Sequence, residues 1–238
     1  MALTRHIPNA ITSMNLLCGV LGVICALEGM IAPAFGLMVL GAVFDFCDGL
    51  AARLLQAYSP IGKELDSLAD LVSFGVLPAL MLYKVQPDGA NVLLRFLPLF
   101  IAVMSALRLA KFNVDERQAM DFIGLPTPSC AMVCGSLACF LDARGGVPSG
   151  AGPWLLALLA VILGLLLVSE IPMFGMKIKK GHRLLDGKRA AFLVLAAAGI
   201  LATVLLHGHW CLAVLTVFSV YIVENLVLAV INSFRRGA

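Results

Sequence analysis

Apolar runs long enough to cross a bilayer recur along the whole of this 238-residue chain. A spanning helix needs roughly 20 predominantly apolar residues. Such runs fall near residues 10–29, 32–54, 66–86, 91–112, 126–143, 153–171, 190–207 and 210–232. Hydrocarbon offers no water to unpaired backbone groups, so only helices and closed barrels span it, and runs of this length are helices. With 61% hydrophobic and 13% charged residues and a mean hydropathy of +0.99, the fold class is all-α: a polytopic membrane protein of about eight transmembrane helices.

The breaks between runs carry turn chemistry: Ala32-Pro33, Pro87-Asp88-Gly89, Gly145-Gly146-Val147-Pro148 and Gly208. There is no internal repeat and no soluble stretch, so residues 1–238 read as one integral membrane domain. The first run ends without a small-residue cleavage pattern and reads as a retained helix. Eight helices put both termini on one side. Of the 17 Lys and Arg, 14 fall on that side and Lys84, Arg95 and Arg144 on the other. The positive-inside bias makes the first side cytoplasmic, in a cell inner or plasma membrane. The basic loop 177–189 is a topology determinant that can also hold anionic lipid head groups. The net charge of +3 is mild and gives no nucleic-acid signature.

Against this background stands the segment VFDFCDGLAARLLQAYSPIGKELDSLADLVSFGV, residues 43–76. It carries Asp45, Asp48, Asp66 and Asp70. One Asp at mid-bilayer costs on the order of 2.5–3.5 kcal/mol by insertion scales. Asp45 and Asp48 are three apart near the end of the second span; Asp66 and Asp70 are four apart at the start of the third. Each spacing puts both carboxylates on one helical face. A loop of about ten residues containing Pro60 and Gly62 lets the faces oppose one another. Charges that merely cap helix ends would not account for four acids on converging faces. Hard oxygen donors suit Mg²⁺, Mn²⁺ or Ca²⁺ rather than zinc. Two such ions ~3.5–4 Å apart would neutralise the cluster and grip a diphosphate. Gly49 and Ala52 clear room beside the acids, and the fork of Arg53 suits phosphate oxygens.

These residues, Asp45-x2-Asp48-Gly49-x2-Ala52-Arg53-x8-Gly62-x3-Asp66-x3-Asp70, resemble the full signature of the CDP-alcohol phosphatidyltransferases. Pro8-Asn9-x2-Thr12 resembles that family's nucleotide-contacting stretch. The resemblance implies a signature-bearing catalytic part over 8–128 and additional C-terminal helices over 153–232. It implies two divalent cations, Mg²⁺ or Mn²⁺, held by Asp45, Asp48, Asp66 and Asp70, with Asp70 also catalytic. It further implies CDP-lipid binding by Asn9, Thr12, Asp48, Gly49, Ala52, Arg53 and Gly62, and transfer of a phosphatidyl group from CDP-diacylglycerol to an alcohol with release of CMP. A homodimer among membrane lipids is implied in the same way.

Three further stretches, ALRLAKFNV (106–114), FIGLPTP (122–128) and IPMFGMK (171–177), resemble the branch of the family that uses L-serine. Lys111 departs from that pattern, where arginine is more frequent. Arg108 can meet a serine carboxylate, Asn113 offers donor and acceptor, and Thr127 adds a hydroxyl between two φ-fixing prolines. Arg108 and Lys111 are equally readable as snorkelling positive-inside residues. Glycerol 3-phosphate or inositol phosphate as acceptor would call for more inward basic residues. A divalent-cation transporter would place acids at mid-membrane in both halves, a pattern the chain lacks. The seven cysteines show no paired ligand spacing and are assigned neither disulfides nor metal. His207 and His209 read as turn residues, and Glu170 and Glu224 as pairing groups within apolar runs.

Overall fold

The structure is a computed structural model that describes residues 6–115, 122–174, 187–206 and 208–237. Its helices follow the apolar runs in order. They are α1 (Ile7–Leu27), α2 (Ile31–Leu54), α3 (Pro60–Lys84), α4 (Val92–Val114), α5 (Thr127–Asp142), α6 (Gly152–Val168), α7 (Gly187–Leu205) and α8 (Trp210–Gly237). Five have the length and apolar content to cross a membrane; α5, α6 and the Ala190–Leu205 part of α7 are shorter apolar helices. Large side chains point outward on several of them, among them Phe46 at 65%, Leu107 at 53% and Leu158 at 56% exposure. In water that surface would aggregate; in hydrocarbon it is solvated. The protein is therefore an integral membrane protein with its polar groups turned inward.

One buried stripe on α1 organises its packing in the bundle. Thr12, Asn15, Gly19, Gly22 and Ala26 recur at alternating three- and four-residue steps and are all buried. The polar members lie toward one end and the small members toward the other. At Gly19 an added Cβ would strike Ser73, and at Gly22 it would come within 2.5 Å of a Leu77 methyl. Small residues let α1 and α3 approach closely, the usual packing device where lipid removes any hydrophobic drive between helices. Helix α2 packs along α1, α5 packs on α2 and α3, and α8 closes over α5 and α7.

Helix α3 changes pitch in its middle. Residues Leu71–Val76 form a π-helical turn between regular segments Pro60–Asp70 and Leu77–Lys84. Pro78 has no N–H for the Phe74 carbonyl and its ring crowds that carbonyl, so the turn upstream widens. The widening sits immediately after Asp70, in the position where such turns commonly mark functional sites.

Helix α3 also begins earlier than the apolar pattern indicates. The sequence reading placed its span at 66–86, after a loop of about ten residues that held Pro60 and Gly62. In the structure the loop is residues 55–59, and both Pro60 and Gly62 belong to the first helical turn. Ser59 caps the helix by accepting the Gly62 N–H at 3.0 Å, and Pro60 presets φ at its first position. Asp66 thus lies in the second turn. The extension is polar because it projects past the apolar part of the helix.

The segments after α4 and α6 meet in a two-residue antiparallel pairing, Phe122 with Met173 and Ile123 with Pro172. The Gly124 N–H donates to the Ile171 carbonyl at 2.9 Å, and the Leu125 N–H to Leu166 at 2.9 Å. Most of the basic loop 177–189 lies outside the described residues, as does His207.

Candidate active site

The end of α2, the start of α3 and the start of α1 converge at one end of the bundle. Asp45, Asp48 and Asp66 bring carboxylate oxygens within 4.8 Å of one another. Two carboxylates ~4 Å apart repel by about 4 kcal/mol at an effective dielectric constant of about 20. The ion pairs among the described residues, Arg95–Asp88 and Lys111–Glu170, lie elsewhere. Asp66 Oδ1 is buried with no hydrogen-bond partner. A hard oxygen-donor cluster with a buried orphan oxygen and no basic side chain paired to it fits a divalent cation, and these three residues are the ones that could hold it.

Neutral groups fix the acids in place. Thr12 Oγ1 lies 2.6 Å from Asp48 Oδ2 as donor, and 3.0 Å from the Pro8 carbonyl one turn back. Asn15 Nδ2 donates to Asp70 Oδ1 at 3.3 Å, and Ser73 Oγ donates to the Asn15 carbonyl at 3.0 Å. Asp70 is buried against Asn15, next to the three aspartates but not among those whose oxygens all lie within 4.8 Å of one another. Asn15 Oδ1 remains buried and unpartnered. Sequence reasoning passed over Asn15. The signal was there in Thr12-x2-Asn15, two polar residues one turn apart on the face that also carries the glycines.

Beside the acids opens a cavity of ≈ 220 Å³. Its walls include Asn9, Thr12, Asp48, Gly49, Ala52 and Gly62, the expected CDP-lipid set apart from Arg53, together with Asp66 from the expected metal set. The close approach of α1 and α3 at its floor requires glycine at 62: a Cβ there would sit 2.8 Å from Asn9 Oδ1 and 2.9 Å from Ser59 Oγ. At Gly49 an added Cβ would meet nothing within 4 Å, so that residue faces open space. Arg53 does not line the cavity. Its Nε donates to the Gly49 carbonyl at 2.8 Å, back along its own helix. Lys63, absent from the expected binding set, lines the cavity while its Nζ donates to the Asn113 carbonyl at 2.8 Å.

Ala52→Leu would fill part of this cavity while leaving every carboxylate in the chain. The variant is expected to weaken CDP-diacylglycerol affinity by about tenfold or more, since overpacking costs typically 1–3 kcal/mol, while divalent-cation binding is retained. Equilibrium binding of a labelled CDP-lipid beside metal titration checks it; unchanged CDP-lipid affinity would put the nucleotide on another face of α2.

The family model for CDP-alcohol phosphatidyltransferase matches residues 5–170, which include the whole aspartate cluster and α1 to α6. The chain belongs to the CDP-alcohol phosphatidyltransferase family. A relative from Bacillus subtilis, named CDP-diacylglycerol--serine O-phosphatidyltransferase, is 39% identical over 128 residues, or 54% of this chain and 72% of that protein. The Mycobacterium tuberculosis protein of the same name is 35% identical over 218 residues, covering 84% of this chain and 72% of its own length. An archaetidylserine synthase from Methanothermobacter thermautotrophicus is 34% identical over 132 residues, 55% of this chain and 56% of that protein.

In this phosphatidyltransferase the described residues of the three stretches outside the signature come together in space. Arg108, on α4, donates through Nη1 to Thr127 Oγ1 on α5 at 3.0 Å. Both are buried, and Arg108 Nε has no partner. The 122–123 and 172–173 strands pair beside them, and Lys111 reaches Glu170 at 3.1 Å. Helix α8 seals this corner: Asn225 Oδ1 accepts the Phe174 N–H at 2.8 Å and Tyr221 donates to the Phe174 carbonyl at 3.1 Å. Asn113 is placed differently from Arg108 and Thr127. Its Nδ2 donates to Ser67 Oγ at 2.9 Å, so it ties α4 to α3.

Proposed function

We propose that this chain transfers the phosphatidyl group of CDP-diacylglycerol to the hydroxyl of L-serine, giving phosphatidylserine and CMP. The observation that carries the reading is the clustering of Asp45, Asp48 and Asp66 beside a cavity that Asp48, Asp66, Gly49, Ala52 and Gly62 of the signature line. Serine as the acceptor is supported by the names of the relatives and by the buried Arg108–Thr127 pair in the neighbouring corner.

Asp45, Asp48 and Asp66, with Asp70 completing one site, are the residues to hold two divalent cations, Mg²⁺ or Mn²⁺. When bound, these neutralise the diphosphate and the charge that develops on the transferring phosphorus. The chain's own groups do the rest mainly by positioning, as phosphoryl-type transfer requires. Asn9, Thr12 and the small residues Gly49, Ala52 and Gly62 shape the nucleotide cleft. Arg53 offers its terminal nitrogens to phosphate, and Arg108 meets the serine carboxylate. Asp70, held by Asn15, takes the proton of the serine hydroxyl. The serine oxygen then bonds to the lipid-side phosphorus, the bond to the CMP oxygen breaks, and CMP departs. The acyl chains stay in hydrocarbon throughout.

The Lys/Arg distribution supports a site that faces the cytoplasm of a cell inner or plasma membrane, with both termini on that side. A homodimer rests on the family resemblance alone.

An acceptor panel tests the assignment. With labelled CDP-diacylglycerol, CMP release is expected to accelerate with serine and not with glycerol 3-phosphate, inositol or inositol phosphate. Faster release with a phosphorylated acceptor would remove serine while leaving the transferase standing. Arg108→Lys is expected to lower kcat/KM for serine by about 10–100-fold, the worth of a hydrogen bond to a charged group, at unchanged CDP-diacylglycerol affinity. A variant with equal losses in both would place Arg108 in the fold rather than at the acceptor.

A further inference from the structure

A second set of ligating side chains converges at the other end of the bundle. Cys139 lies in the last turn of α5, His209 directly precedes α8, and Cys211 is in the first turn of α8. Two thiols and one imidazole bring their ligand atoms within 4.8 Å of one another. Both thiols are free and buried, Cys139 at 1% and Cys211 at 0% exposure.

The geometry is held from several directions. The Leu212 N–H donates to the His209 carbonyl at 2.8 Å. The Cys211 N–H donates to His209 Nδ1 at 3.4 Å, keeping the imidazole beside α8. Trp210, between them, stacks on the fully buried Phe35 with centroids 5.2 Å apart. Buried cysteine alone behaves as a small apolar residue. Here His209 and Cys211 come from one segment and Cys139 from another helix, and together they complete a soft N/S donor set.

We propose that Cys139, His209 and Cys211 form a binding site for a thiophilic divalent ion of the zinc class, with a water in the fourth tetrahedral position. Two thiolates and a neutral imidazole cancel the ion's charge, so the loaded cluster is neutral and suits apolar surroundings. Loading releases the two thiol protons to solvent. Donor softness separates this site from the aspartates, whose hard oxygens select magnesium-like ions. The ion ties α5, inside the matched residues 5–170, to α8 beyond them, and so fastens the C-terminal helices to the catalytic bundle.

The test uses the full-length protein in detergent, stripped by chelator and titrated with Co²⁺. Thiolate ligation gives a charge-transfer absorption that carboxylate ligation does not. The band is expected to saturate near one ion per chain and to be displaced by Zn²⁺. It should vanish in Cys139→Ser and in Cys211→Ser and survive in Asp45→Ala. His209→Ala leaves both buried thiols in place, so it reads the site even where a serine variant fails to fold; its Co²⁺ affinity is expected to drop at least about tenfold. Zn²⁺ should raise the melting temperature of the wild type by mass action and raise that of His209→Ala less at the same Zn²⁺ concentration. No band in the wild type, a band at full strength in His209→Ala with unchanged affinity, or recovery of Cys139 and Cys211 as a disulfide would each overturn the assignment.

Discussion

Asp45→Ala, Asp48→Ala and Asp66→Ala are each expected to lower CMP release from CDP-diacylglycerol by more than about 10³-fold. A single positive group placed against the charge developing in phosphoryl transfer is worth about 10³–10⁵ in kcat, and each of these variants removes a ligand of such a group. The cluster geometry makes each of the three a candidate ligand, because their oxygens share one 4.8 Å neighbourhood. The variants should remain inserted and folded. Removing one of several repelling carboxylates relieves a repulsion of about 4 kcal/mol per close pair, so melting temperature in chelator should hold or rise. EDTA should abolish the wild-type reaction reversibly, with Mg²⁺ or Mn²⁺ restoring it. Turnover that persists in chelated buffer would sink the metal reading.

Asp70 and Asp66 are expected to separate when each is changed to asparagine. Asp70 faces Asn15 and lies outside the three-aspartate group, whereas Asp66 carries the buried orphan oxygen. Asp70→Asn keeps an oxygen and loses a base. CDP-diacylglycerol with metal should still bind, while turnover falls by about 10²–10⁴-fold, the range for a removed general base. Asp66→Asn should lose metal and CDP-lipid binding together. The measurement is CDP-lipid affinity beside single-turnover rate for both variants. Equal binding losses would make Asp70 one more ligand and send the serine proton elsewhere.

Much of this arrangement is legible in the sequence. Hydrophobic length alone locates the helices, because a bilayer demands the same run from every span. Aspartates three and four apart report their own faces, because a helix repeats every 3.6 residues. Gly49 and Ala52 announce space for the same reason. Where a helix leaves the apolar region, hydropathy goes silent: Pro60–Gly62 belongs to α3, and Ser59 with Pro60 sets that boundary through capping chemistry rather than apolarity.

Local spacing along the chain dictates which residues share a helix, which face each takes, and the family-like separation of the acids. Which faces meet is settled by packing between helices. It brought Asn15 to Asp70 across 55 positions and Arg108 to Thr127 across 19, and turned Arg53 back onto Gly49. It also brought Cys139 to His209 and Cys211, residues whose separation along the chain showed no ligand spacing. The physical reason is one of range. Periodicity and capping are set by neighbours within about one helical turn, whereas contacts between helices depend on how small residues such as Gly19 and Gly22 let whole surfaces close on one another.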